Sequence, residues 1–187
     1  MKTVEHPLSA RDRLLAAADE LFYREGINSV GIDRVIEQAG VAKATLYNSF
    51  GSKDELVRAY LAGRHAARVA RLKTALAGIE SPADRILAVF DSLEQLIVDR
   101  GFGGCAFLNA AAEARSGSAV EAITGEYRGW LRTLFRDLAA DAGAADPDQV
   151  AVELVLLYDG ATVGAKMDRN PGAARAARSM AAALLAR

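Results

Sequence analysis

A single cysteine, Cys105, in 187 residues excludes a disulfide scaffold and any cysteine-rich metal site. The two histidines, His6 and His65, are too far apart for a histidine zinc motif, so neither a metal nor a cofactor is expected. Long apolar runs are missing as well. The longest uncharged stretch, residues 101–112, falls short of the roughly 20 apolar residues that span a bilayer. Residues 1–12 carry Lys2, Glu5, Arg11 and Asp12 with no apolar run, which does not read as a signal peptide, so the expected compartment is the cytoplasm. Neither sign of charge dominates. The formal net charge is −1, which would count against a nucleic-acid partner if the charge were evenly spread. It is not: residues 1–55 hold 7 basic and 9 acidic groups, residues 56–79 hold 5 and none, and residues 80–187 hold 11 and 15.

Aromatics make up only 6% of the chain, whereas alanine, the strongest helix former, fills 39 positions. With 51% hydrophobic and 25% charged residues the composition is that of a globular protein, and it favours an all-helical one. Helix punctuation supports this. Ser9 stands three before Asp12, and Leu14, Ala18, Leu21 and Phe22 recur at helical spacing until Gly26, which predicts a helix over 10–25. Two short helices follow over 32–39 and 43–49, separated by Gly40-Val41. Ser52 with Glu55 forms a capping box that opens a long helix. Ser81-Pro82, Asp146-Pro147 and Asn170-Pro171 each pair a polar cap with a proline, which suits the first helical position. Gly103-Gly104 precedes a helix near 105–115, and Ser118 with Glu121 opens one over 119–141. The sum is nine helices and no convincing strand.

The segment Ile32 to Phe50, IDRVIEQAGVAKATLYNSF, carries the chemistry. Val35, Ala39, Val41, Leu46 and Phe50 turn both short helices toward each other and toward the first helix. Lys43, Thr45, Tyr47, Asn48 and Ser49 are left outside. A short helix with a hydroxyl- and amide-rich outer side, held up by another across a tight turn, suits entry into a DNA major groove. Thr45, Tyr47 and Asn48 are the candidates for base contacts, and Lys43, Ser49 and Lys53 for phosphates.

The run AGVAKATLYNSFGSKDEL resembles the helix-turn-helix signature of the TetR/AcrR family of bacterial transcription regulators, closely over residues 9–60. The remainder resembles the family in helix count and length, and GCAFLNAAAE at 104–113 resembles a segment of one subgroup. The resemblance implies a three-helix DNA-binding domain over 1–55 and an effector-binding and dimerisation domain over 56–187. It also implies a homodimer through the last two helices, about 147–186, and repression relieved by a small molecule bound among helices 4 to 8. The chain departs from the family where Gly31 and Ala42 replace cap hydroxyls, which removes two phosphate contacts, and where Ser49 replaces a longer His or Tyr.

Elsewhere the residues leave alternatives open. Phe90, Phe107, Tyr127 and Trp130 are candidates to line an apolar effector pocket, or are core. Asn109 and Glu113, four and eight residues beyond Cys105, form a polar stripe that suits either a pocket or structural hydrogen bonds. Cys105 is either a thiol sensor of lowered pKa or a small buried side chain. Asp159, in an apolar run, recognises a cationic effector, pairs across a dimer interface or faces solvent. The basic stretch Arg58, Arg64, Arg68, Arg71, Lys73 binds phosphate, or complements the dipole of its helix in solvent. The small residues Gly160, Ala161, Gly164, Ala165, Ala173, Ala174, Ala176, Ala177, Ala181 and Ala183 suit a four-helix contact between two copies, or a close helix pair within one chain. No acid/base or nucleophile constellation marks an enzyme. A helical ligand-binding adaptor dimer that does not bind DNA specifically is the rival reading.

Overall fold

The computed structural model describes residues 8–99 and 101–186; the expectations on Lys2, Glu5 and His6 lie outside them. The described residues form nine helices and no strand: α1 (Ala10–Glu25), α2 (Ile32–Ala39), α3 (Lys43–Phe50), α4 (Lys53–Leu76), α5 (Pro82–Ile97), α6 (Ala106–Glu113), α7 (Ala119–Asp141), α8 (Pro147–Met167) and α9 (Ala173–Leu185). Five of the six polar caps that the sequence signals take the expected backbone donor. Ser9, Ser52, Ser81, Ser118 and Asp146 accept from the N–H three residues on, at 3.0 to 3.2 Å. Asn170 behaves differently: its side-chain oxygen accepts from Gly172 N at 2.9 Å, which closes a turn, and α9 starts only at Ala173. Pro171 is therefore a turn residue and not the first residue of a helix.

The helices fall into two compact units. The first holds α1 to α3, α4 as far as Arg64, and residues 109–124. Its core is Leu14, Leu21 and Phe22 of α1, Val35 of α2, Leu46 and Phe50 of α3, and Leu56, Val57, Tyr60 and Leu61 of α4, all buried. Tyr60 meets Phe22 edge-on, and Arg64 holds Asp19 through a forked pair at 2.6 and 2.8 Å. About the first three turns of α4 thus close the N-terminal core, and packing divides the chain near Arg64 whereas the sequence suggests residue 55.

The second unit comprises His65–Leu108 and Gly125–Arg187. Here α9 packs against both α5 and α8. Ala174, Ala177 and Ala181 of α9 and Ala161 and Ala165 of α8 are buried in a core built around Phe90, Leu93, Phe135 and Leu154. These small residues let the helices approach closely within one chain, so they are not free for a second copy. No helix among the described residues is long and apolar enough to cross a membrane.

Candidate nucleic-acid interface and ligand site

In the first unit, α2 ends on Gly40, whose left-handed φ of +62° lets its N–H reach back to the carbonyls of Ile36 and Glu37. Arg13 of α1 donates from Nε to the carbonyl of Ala39 at 3.2 Å, satisfying another orphan acceptor at that end. A forked Arg34–Glu25 pair and a Gln38–Glu20 hydrogen bond of 2.8 Å tie α2 to α1. Arg11 lies 4.9 Å over the ring of Phe50. These contacts set α3 with Leu46 and Phe50 inward and Lys43, Ala44, Tyr47 and Asn48 exposed, Tyr47 at 45%. Thr45 and Ser49 sit half-buried at the edges of that face. Neither Gly31 nor Ala42 supplies a side-chain cap, so the first N–H groups of α2 and α3 lack one. Lys43 pairs with Asp33 at 2.9 Å, and that hydrogen bond pushes its ammonium pKa up.

Lys53 is placed differently from the other phosphate candidates. Its ammonium donates to the carbonyl of Ile27 at 2.7 Å and lies 5.9 Å from the centre of the Phe22 ring. It pins the turn between α1 and α2. Glu113 works on the same turn from the other side: its carboxylate accepts from Ile27 N at 3.2 Å and Asn28 N at 2.7 Å, and its carbonyl accepts from Asn28 Nδ2 at 3.0 Å. Glu113, a pocket candidate from its stripe, is thus a clamp of the first unit, because all of its acceptor capacity shown here goes to that turn. Sequence spacing carries no signal for a contact 85 residues away.

In the second unit, Phe107 stacks on Tyr127 at 3.7 Å with planes 4° apart, and His65 meets Phe107, Tyr127 and Trp130 edge-on at 6.3, 5.5 and 4.8 Å. Three of the four aromatic candidates therefore converge. Phe90 does not join them: fully buried against Phe135 at 5.8 Å and Tyr158 at 6.2 Å, it belongs to the core. Asp159 pairs with Arg128 of α7 inside the unit, a partner that its sequence position did not suggest. The basic stretch of α4 is not one solvated face either. Arg58 pairs with Glu55 at 3.5 Å and Arg64 stacks 3.9 Å over Tyr23. Arg68 turns toward Tyr158, 5.9 Å from its ring centre, with Tyr127 and Cys105 also close. Sequence spacing singles out neither His65 nor Tyr158 for this cluster, and it groups Arg68 with the other cations of α4, because the pairing of α4 with α8 has no local signal.

A cleft of about 470 Å³ opens elsewhere in this unit, between Ala83 of α5, the 142–146 loop and Leu184 and Leu185 of α9. Its polar side chains, Asp146, Gln149 and Glu153, are engaged with one another along the start of α8, and the rest of the lining is alanine, glycine, valine and leucine.

Burial pushes the Cys105 thiol up from its ordinary pKa, outweighing the backbone hydrogen bonds and the Arg68 charge that pull it down. The low-pKa sensor reading requires the opposite direction. Alkylation of folded protein by iodoacetamide at pH 7 is expected to run about ten-fold slower than after denaturation, since only the thiolate attacks. Equal rates would show an accessible thiol of ordinary reactivity, and a faster rate in the folded protein an activated one.

Residues 14–60 match the family model of the tetR family of bacterial regulatory proteins, and residues 82–181 match that of the tetracyclin repressor-like C-terminal domain. The HTH-type transcriptional repressor NemR of Escherichia coli K12 is 29% identical over 179 residues, covering 90% of this chain and 89% of NemR. An uncharacterized HTH-type transcriptional regulator of Mycobacterium tuberculosis H37Rv is 29% identical over 140 residues, 74% of this chain, and the match spans 64% of that regulator's length. The crystal structure of a TetR-family transcriptional regulator from Streptomyces coelicolor superposes with a TM-score of 0.90 at 35% identity, covering 95% of this chain and 94% of the other. The helix-turn-helix geometry of α2 and α3, the all-helical second unit and these matches lead to one conclusion: the chain belongs to the TetR family of bacterial regulatory proteins.

Proposed function

We propose that the protein is a homodimeric, sequence-specific DNA-binding transcription regulator of the cytoplasm, a repressor released from a pseudo-palindromic operator by a small-molecule effector. The observation that carries this reading is the outer side of α3. Lys43, Tyr47 and Asn48 stand exposed on a helix whose opposite side is buried, which is the arrangement that reads base edges. In a dimer, two such helices about 34–36 Å apart would enter successive major grooves. Dimerisation draws support from α8, where Val152, Leu156, Gly160, Val163 and Met167 are exposed at successive spacings of three or four, and from the neighbouring Ala176, Met180 and Ala183 of α9. The effector would bind in the second unit at the aromatic cluster of Phe107, Tyr127 and Trp130. A ligand releases DNA only through its affinity difference between DNA-competent and DNA-free conformations.

Fluorescence anisotropy with duplex from upstream of the protein's own gene, against scrambled duplex at two salt concentrations, tests the reading. Tight and salt-sensitive binding to the native duplex is expected. In the same assay Lys43→Ala should weaken all duplexes about equally and lower the salt slope by about 1, while Asn48→Ala should relax specificity. Equal losses across sequences for both variants would remove Asn48 from base recognition. Duplexes selected from a random pool that bind no better than scrambled DNA would favour the adaptor reading.

A further inference from the structure

Arg68 is a cation with no carboxylate partner among the described residues; its neighbours are the Tyr158 ring and the Tyr127 hydroxyl. Its Nη1 is buried and has no hydrogen-bond partner among the described residues, and the same holds for Nε2 of His65, one helical turn earlier on α4; beside them the hydroxyls of Tyr127 and Tyr158 interact with each other, and that of Tyr127 with the guanidinium. The nearby carboxylate, Asp159, is taken by Arg128. The groups nearest the guanidinium are the hydroxyls of Tyr158 and Tyr127 and the thiol of Cys105. Burial raises the pKa of all three, so none of them supplies a negative charge by ionising. A guanidinium does not give up its proton, and an enclosed charge without a partner is unfavourable. Two buried, unpartnered N atoms one turn apart on α4, one of them permanently positive and facing only neutral hydroxyls and a thiol, describe a site that lacks its anion.

We propose that this cluster binds a small organic carboxylate with a flat apolar body, which rests on the effector reading above and gives the effector its chemical class. Arg68 and the Tyr158 hydroxyl would donate to the carboxylate, a geometry that guanidinium matches with two parallel N–H groups. The body would lie against Phe107, Tyr127 and Trp130. Phe107 and Tyr127 stack on each other at 3.7 Å, so a flat body would pack on the outer side of this pair, as a further ring extends an existing stack. A neutral ligand would leave the charge unanswered, and a phosphate would lack a surface for these rings.

The test uses the full-length dimer and matched probes: benzoate and 2-naphthoate against their neutral carboxamides, at constant ionic strength, by titration calorimetry. The acids are expected to bind about ten-fold or more tightly than the amides. Arg68→Met should erase that preference, and Arg68→Lys should retain part of it. Ligand-free Arg68→Met should melt at or above the parent temperature, because an unpaired enclosed charge is replaced by an apolar chain of similar length. Equal binding of acids and amides, absence of binding by either, an acid preference that survives Arg68→Met, or a lower melting temperature in that variant would each overturn the site. Operator anisotropy on the same samples separates the two readings. Acids that bind and do not weaken DNA binding leave the site standing and overturn its effector role, whereas loss of the acid preference leaves DNA recognition untouched.

Discussion

Leu156→Glu is expected to convert a dimer into a folded monomer and to lower operator affinity by at least about 100-fold. Leu156 is 62% exposed, so its replacement leaves the core of the second unit intact. Around it on α8 stand Val152 at 42%, Val163 at 44% and Met167 at 76%, with Met180 of α9 at 59%. At about 100° per residue the four α8 positions and Gly160 fall within one arc of roughly 80°. An apolar stripe of that kind on a helix otherwise flanked by Glu153, Lys166 and Asp168 marks a surface meant to be covered. In the proposed dimer a second copy would cover it by a two-fold axis, setting each α8 and α9 pair against its equivalent in a four-helix contact. That symmetry doubles the effect of one carboxylate, since both copies bring it to the same patch. Loss of the dimer then removes the linkage between two half-site contacts, and each helix-turn-helix binds alone. Sedimentation velocity reads the mass, and anisotropy reads the affinity. A variant that stays dimeric would place the interface elsewhere.

What was legible in the sequence was what local chemistry decides. Ser9, Ser52, Ser81, Ser118 and Asp146 each satisfy a donor three residues away, so five helix starts could be read without tertiary information. The outer face of α3 was legible for the same reason: eight residues with two buried anchors leave little choice about the remainder. Long-range pairing was not. The stripe of Cys105, Asn109 and Glu113 is one side of a helical segment, yet Glu113 serves the first unit and Cys105 lies among Arg68, Tyr127 and Tyr158 in the second. Arg68 looked like any cation on an exposed helix until α8 brought Tyr158 beside it. The small residues of α8 and α9 promised close helix packing without saying whether the neighbour belongs to the same chain. Ala161, Ala174 and Ala181 pack internally, and the larger Leu156 and Met180 are the ones left outside.

Gly26→Ala is expected to destabilise the first unit by about 2–4 kcal/mol, shared between backbone strain and the lost hydrogen bonds of Glu113. Gly26 ends α1 at φ +93° and ψ 153°, a region almost closed to residues with a side chain, and occupying it costs about 1–3 kcal/mol. A Cβ there would sit 2.7 Å from Oε1 of Glu113 and 3.2 Å from its carboxyl carbon. The carboxylate is the end of a flexible side chain and can withdraw. Withdrawal, however, breaks its hydrogen bonds to Ile27 N and Asn28 N, charge-assisted bonds worth about 1 kcal/mol each at this partly exposed position. Glu113→Ala alone is therefore expected to cost about 1–2 kcal/mol. In the double variant the penalty should be smaller than the sum, because once the carboxylate is gone only backbone strain remains for Gly26→Ala. Hydrogen exchange at Ile27 and Asn28 gives the local readout, with faster exchange in both single variants. Additive losses would show that the glycine is required by the backbone alone. Because Lys53 holds the carbonyl of Ile27 in the same turn, loosening it also frees the start of α4 beside α3, so DNA affinity should fall together with the protection of those two amides.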